Sequence, residues 1–112
     1  GALTPEASAG RALFVSDALG CASCHVPQRH TDSSLCEVPF LLHDVGTLKP
    51  SSGGRLGGPL LGIDTPTLNG VWETGPYLHD GSAATLMEVI TTANPNDAHG
   101  ATRQARTRQT VV

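Results

Sequence analysis

The chain is short of bulky apolar side chains: Phe14, Phe40, Trp72 and Tyr77 are its four aromatic residues and Met87 its one methionine, in 112 positions. No apolar run approaches the roughly 18 residues needed to cross a bilayer as a helix, so a transmembrane segment is not expected. Seven basic side chains face ten acidic ones, for a formal charge of -3. Without a basic patch the chain lacks the footprint that nucleic acid or an anionic membrane surface requires. Residues 1–100 hold four of the basic and all ten acidic groups, whereas 101–112 holds Arg103, Arg106 and Arg108 with no acid. We expect one domain over 1–100 and a flexible, solvated basic tail over 101–112. Gly1-Ala2-Leu3 lacks the basic and apolar regions of a signal peptide, so an export history leaves no mark here.

What is plentiful is the material of turns. There are 13 glycines and 8 prolines, above the ordinary usage of ~7% and ~5%. A small domain with so little bulk needs a staple: a metal, a disulfide or a large cofactor. Two helices are legible. Thr4-Pro5-Glu6 reads as a start, with Thr4 as cap, Pro5 at the first position and Glu6 at the positive end of the dipole. Gly10, Leu13 and Phe14 then share a face, and Gly10 suggests another backbone passing close by. Ser82–Ile90 is the second, opened by Ser82 or Thr85, stopped by Asn94-Pro95 and apolar along Leu86, Val89 and Ile90. Between them, Pro27–Pro66 reads as loop with apolar islands at Val38–Leu42 and Leu60–Ile63. So long a loop is tolerable in a compact domain if it wraps something apolar that is not protein.

Cys21-Ala22-Ser23-Cys24-His25 carries the chemistry. On a helical turn both thiols and the imidazole project from one face. That arrangement suits covalent haem c: each thiol adds across a porphyrin vinyl group, and His25 offers a ring nitrogen to iron as the proximal ligand. Two rivals use the same residues. Zinc would take Cys21, Cys24, Cys36 and His30, and a dithiol redox pair would use Cys21 and Cys24 but wants a βαβ setting absent here. The shortage of bulk favours haem, the largest staple. Its expected lining is Phe14, Leu41, Leu42, Leu60, Leu61, Ile63, Leu68, Val71, Trp72 and Leu86, with Tyr77 a further aromatic contact. Cys36 is left without an internal disulfide partner once two cysteines are thioethers.

Gly-x-x-Leu-Phe followed by Cys-x-x-Cys-His spans Gly10 to His25, and Thr65-Pro66-Thr67-Leu68 is followed by Gly75-Pro76-Tyr77-Leu78-His79-Asp80-Gly81-Ser82-Ala83-Ala84-Thr85-Leu86. These stretches resemble the C-terminal haem domain of the bacterial di-haem cytochrome c peroxidase and MauG family. The resemblance implies a mostly α, loop-rich cytochrome c-like fold, haem c attached outside the cytoplasm and hence a periplasmic or exported protein, and electron transfer or peroxide chemistry. The family peroxidases use two haems in two domains, whereas this chain has one CxxCH; complete peroxidase activity would need a second haem domain or a larger parent chain. Their domain also closes with an amphipathic helix, and Ala101–Val112 shows no apolar stripe before Val111.

The ligand opposite His25 decides function. The candidates are Met87, His99, His79, His43 and His30. Met87 sits off the Leu86, Val89 and Ile90 face. The resemblance places the ligand beyond that helix, where His99 lies, so His99 leads with Met87 the alternative. His79-Asp80 would be an acid/base pair on open iron; the competing assignment makes Asp80 a helix cap and gives His79 a haem propionate or backbone partner. His30 and His43 are expected at the surface. The leading function is single-electron transfer to a redox partner protein, and the alternative is a peroxidase-like haem centre.

Overall fold

The computed structural model describes residues 2–33 and 41–102. It contains α1 (Pro5–Phe14), α2 (Cys21–Cys24) and α3 (Leu86–Ile90), of ten, four and five residues. To these it adds 3₁₀ turns at Pro50–Ser52 and Val71–Glu73 and an antiparallel ribbon of β1 (Gly54–Arg55) and β2 (Gly58–Pro59). The expectation of a mostly α fold is thereby corrected: loop is the dominant state of the described residues. The physical reason is local. Short hydroxyl side chains hold the backbone in non-helical conformations, competing with helix formation. Thr31 Oγ1 donates to the Thr65 carbonyl at 2.5 Å, Thr67 Oγ1 to the Arg29 carbonyl, and Thr74 Oγ1 to that of Val71 at 2.9 Å.

α1 starts as its sequence indicates: Thr4 Oγ1 accepts from the Ala7 amide at 3.2 Å and Pro5 occupies the first turn. Its supposed contact is different. None of its residues is buried, and nothing among the described residues lies within 4 Å of a Cβ built on Gly10. α3 is shorter than Ser82–Ile90 because the residues before Thr85 are committed elsewhere. The Ser82 amide donates to Asp80 at 3.1 Å and the Tyr77 amide to the Ala83 carbonyl at 2.7 Å. Asp80 thus shapes the turn before the helix, and Thr85 is the cap, accepting from the Glu88 amide at 3.2 Å. Glu88 reaches back to the Ala84 amide at 2.6 Å, closing the first turn from both sides.

The described part of the middle segment after residue 40 is folded rather than loose. Leu56 and Gly57 both have left-handed φ, 53° and 78°, the geometry of the two-residue turn that joins twisted strands. Farther in, His43 and Ile63 form a two-hydrogen-bond bridge at 2.9 and 2.7 Å. The backbones approach so closely that a Cβ on Gly62 would lie 2.8 Å from the His43 nitrogen and 2.9 Å from the Leu42 carbonyl carbon. Gly62→Ala should therefore part this bridge and destabilise the protein by about 1–3 kcal/mol, read as a lowered urea midpoint; an unchanged midpoint would contradict the close approach.

Protein side chains do not fill the centre. Among the described residues Ala83 is the one apolar residue classed as buried, alongside the polar His25, Thr47, Thr65, Asn94 and Thr102. The described residues instead line a half-open cavity of about 500 Å³. No helix among the described residues is long and apolar enough to cross a membrane.

Candidate haem-binding site

α2 is a single turn, so Cys21, Cys24 and His25 emerge together, and His25 terminates it with its amide donating to the Cys21 carbonyl at 3.0 Å. Both cysteines are free thiols. Burial pushes the Cys21 thiol above its ordinary value, against an opposing backbone hydrogen bond. A protonated, half-buried thiol is a poor dithiol-exchange nucleophile.

His25 Nδ1 lies 3.0 Å from the His30 carbonyl. With Nδ1–H donating there, Nε2 keeps its lone pair for a metal, the usual way in which a ligating imidazole is oriented. His30 is itself held, its Nδ1 2.9 Å from Asn69 Oδ1. Phe14 packs by both rings, with centroid distances of 6.4 Å to His25 and 6.1 Å to His30. The other zinc candidate, Cys36, lies outside the described residues, as do Phe40 and residues 103–112.

His99 stands across from His25. Their ring centroids are 6.3 Å apart at an interplanar angle of 35°, and both line the cavity. Two imidazoles bound at about 2 Å to one metal between them have centroids about 6–6.5 Å apart. Burial pushes the His99 imidazole below its ordinary value, and the charge of His25 adds to that, favouring the neutral, ligating form. Its Nδ1 is buried without a hydrogen-bond partner. Met87, by contrast, is 56% exposed and absent from the cavity wall.

Asn94 builds the loop that presents His99. It is 1% exposed. Its Oδ1 accepts from the His99 amide at 2.8 Å, and its Nδ2 reaches the His99 and Gly100 carbonyls and Thr102 Oγ1 at 3.2, 2.9 and 3.0 Å. Thr102 Oγ1 donates onward to the Ile90 carbonyl at 2.6 Å, tying the loop to α3. Gly100, at φ 81°, brings the loop against the motif: a Cβ there would lie 3.1 Å from the Leu19 carbonyl oxygen and 3.5 Å from Cys21 Sγ. Asn94→Ala removes a buried network and should cost about 2–4 kcal/mol, measured by thermal unfolding; a loss under about 0.5 kcal/mol would contradict this role.

The cavity wall is apolar where a large flat ligand would rest, with Ile63, Leu68, Val71, Tyr77, Leu86 and Val89 contributing. Four of the sequence-expected lining residues are thus in place, together with Tyr77, whereas Trp72 is 72% exposed and Leu61 80% exposed. Trp72 faces away because Val71, its neighbour in the 3₁₀ turn, takes the inward position. His79 also lines the cavity, but its ring nitrogens meet the hydroxyls of Thr47 and Ser52, each at 3.2 Å. Asp80 instead serves the Ser82 amide and lies 3.7 Å from Lys49 Nζ, so the two side chains have structural partners, as in the competing assignment, rather than facing each other as an acid/base pair.

Two partners were not legible in the sequence. His43, expected at the surface, lines the cavity and bonds through Nε2 to Asp32 Oδ2 at 2.6 Å. Burial pushes the Asp32 carboxyl up, but hydrogen bonds from Thr65 and His43 and the charge of His43 outweigh it, leaving a net downward shift. A carboxyl so lowered contributes stability that is present above its unfolded value and lost as pH falls through its lower folded value. The stability gap between the wild type and Asp32→Asn should therefore narrow on acidification, as urea midpoints across pH would show; a gap that widens would contradict it.

Comparison with known proteins points to a cytochrome c-like family. Residues 62–98 match the family described as RoxA-like, cytochrome c-like. Hydrazine synthase subunit gamma of Kuenenia stuttgartiensis is 29% identical over 139 aligned residues, covering 97% of this chain and 39% of that protein. Methylamine utilization protein MauG of Methylorubrum extorquens is 35% identical over 97 residues, covering 80% of this chain and 25% of that protein. The chain thus spans well under half the length of these relatives. No solved structure gives a significant match.

Proposed function

Since the chain is a c-type cytochrome domain resembling the C-terminal haem domain of the di-haem cytochrome c peroxidase and MauG family, we propose that it is a single-electron carrier in which His25 and His99 would hold the iron. The observation that carries this reading is the pair of imidazoles at 6.3 Å across an apolar cavity. Haem c, the cofactor this likeness implies, supplies a one-electron iron couple when bound. Cys21 and Cys24 would hold it through thioethers. The His30 carbonyl orients His25, and Asn94 positions His99. Ile63, Leu68, Val71 and Leu86 keep water from the faces of the ring. Electrons would pass to and from a redox partner protein, and export follows from the place where such haems are attached.

The competing peroxidase-like centre needs a weak or absent second ligand and an acid/base pair, and neither His79 nor Asp80 is arranged as one. Adding peroxide or cyanide to the ferric protein separates the two readings. A low-spin spectrum that neither reagent alters is expected, whereas a spectrum that shifts on addition of peroxide would overturn the electron-carrier reading.

A further inference from the structure

The Asp32 and His43 pair has no part in holding iron, yet His43 lines the cavity and both lie beside the haem-attachment motif. Cys24 Sγ, a ring nitrogen of His43 and a carboxylate oxygen of Asp32 all lie within 4.8 Å of one another. The Asp32 side chain is 9% exposed. Its Oδ2 holds His43 at 2.6 Å, and its Oδ1 is buried with no hydrogen-bond partner. A buried carboxylate with one unsatisfied oxygen is a strong, poorly screened negative charge. The bridge to Ile63 fixes the His43 backbone, and the ring itself is held by its hydrogen bond to Asp32. The titratable groups around His43 are Asp32 and Cys24 across from it, Asp44 on its own strand, Asp64 beside Ile63, and the imidazoles of His25, His79 and His99 lining the same cavity. Asp64 is engaged by Ser33 Oγ at 3.0 Å and Asp44 by the Gly46 amide at 2.8 Å.

We propose that Asp32 and His43 form a redox-linked proton site that couples electron entry to proton uptake. The inference rests on the electron-carrier reading, because a thioether at Cys24 would put the haem edge beside this pair. The balance is simple. A one-electron donor protein would supply the electron to the bound haem, and a solvent proton would form an N–H bond on the ring nitrogen of His43 that does not face Asp32. Reoxidation breaks that bond and returns the proton to solvent. The sign follows from charge. Reduction would remove one positive charge beside a carboxylate that keeps one oxygen without a partner, and imidazolium restores the local balance. Asp32 stays ionised and remains the hydrogen-bond partner of the His43 ring.

The test is a spectroelectrochemical titration of the haem-bearing protein from about pH 5 to 9, the range in which imidazoles change charge. The wild-type midpoint potential should fall as pH rises, with a limiting slope of about 59 mV per tenfold change in proton activity, the one-electron value. His43→Gln, which leaves the backbone bridge intact, should flatten the dependence while the Soret band stays unchanged. Asp32→Asn should raise the potential at neutral pH and move the sloping region to lower pH. Reduction in weak buffer should take up protons in the wild type and not in His43→Gln, a readout independent of the potential. A pH-independent wild-type potential, or a slope that survives His43→Gln, would overturn the inference while leaving the electron carrier standing. Failure to find any reversible haem couple would overturn the carrier reading itself.

Discussion

Cys21→Ser/Cys24→Ser, which cannot form either thioether, is expected to lose its fixed tertiary structure. The reason lies in what fills the interior. Among the described residues one apolar residue, Ala83, is classed as buried, and the three α-helices have ten, four and five residues. Helices this short are marginal without packing, and a cavity of about 500 Å³ lined by Ile63, Leu68, Val71 and Leu86 would be left facing itself. Folded domains have a margin of only about 5–15 kcal/mol, and losing the group that buries these walls removes the main apolar term. Near-ultraviolet circular dichroism and the cooperativity of thermal melting read this directly. Loss of both is expected in the double variant, and a sharp, cooperative melt would show that the protein carries a core of its own.

His99→Ala should have the second large effect, on the iron rather than on the fold. With the facing imidazole removed, His25 alone would remain within ligand reach, since Met87 is 56% exposed and stands outside the cavity wall. The variant is expected to be high-spin in the ferric state and to bind cyanide or added imidazole, with the low-spin spectrum restored by imidazole. Met87→Ala should leave the spectrum as it is in the wild type. The reverse outcome, a low-spin spectrum that survives His99→Ala and disappears in Met87→Ala, would transfer the ligand role to the thioether. Asn94→Ala occupies a middle position: the loop loses its anchor while the ligand remains, so a mixed-spin population together with lowered stability is expected.

What the sequence made legible were features written in neighbouring residues. Thr4-Pro5-Glu6 and Thr85 mark helix starts through caps that operate over three residues. The Cys21 to His25 motif is a single turn, and the scarcity of bulk pointed to a centre not filled by protein. His99 was reached through resemblance to a family, and the structure places its ring 6.3 Å from that of His25 in the same cavity. Features that depend on long-range pairing were not legible. Nothing local tells that Asp32 and His43 meet, or that His30 contributes its carbonyl rather than its ring. Asn94 read as a helix stop, yet its role is to fold the next eight residues around its amide. The expectation of a mostly α fold failed because it carried over family helices to a chain whose threonines and serines bond the backbone into loops instead. Trp72 misled for a related reason: large aromatic side chains usually mark a core, and here the smaller Val71 takes the inward place.

The electron-paramagnetic-resonance spectrum of the ferric protein tests the central claim most directly, because it reports the two atoms on either side of the iron. The account predicts a low-spin signal of bis-imidazole type, with no optical charge-transfer band of thioether ligation and no change on adding peroxide. A high-spin signal in the untreated wild type, or a low-spin signal of histidine and methionine ligation, would contradict the pairing of His25 with His99.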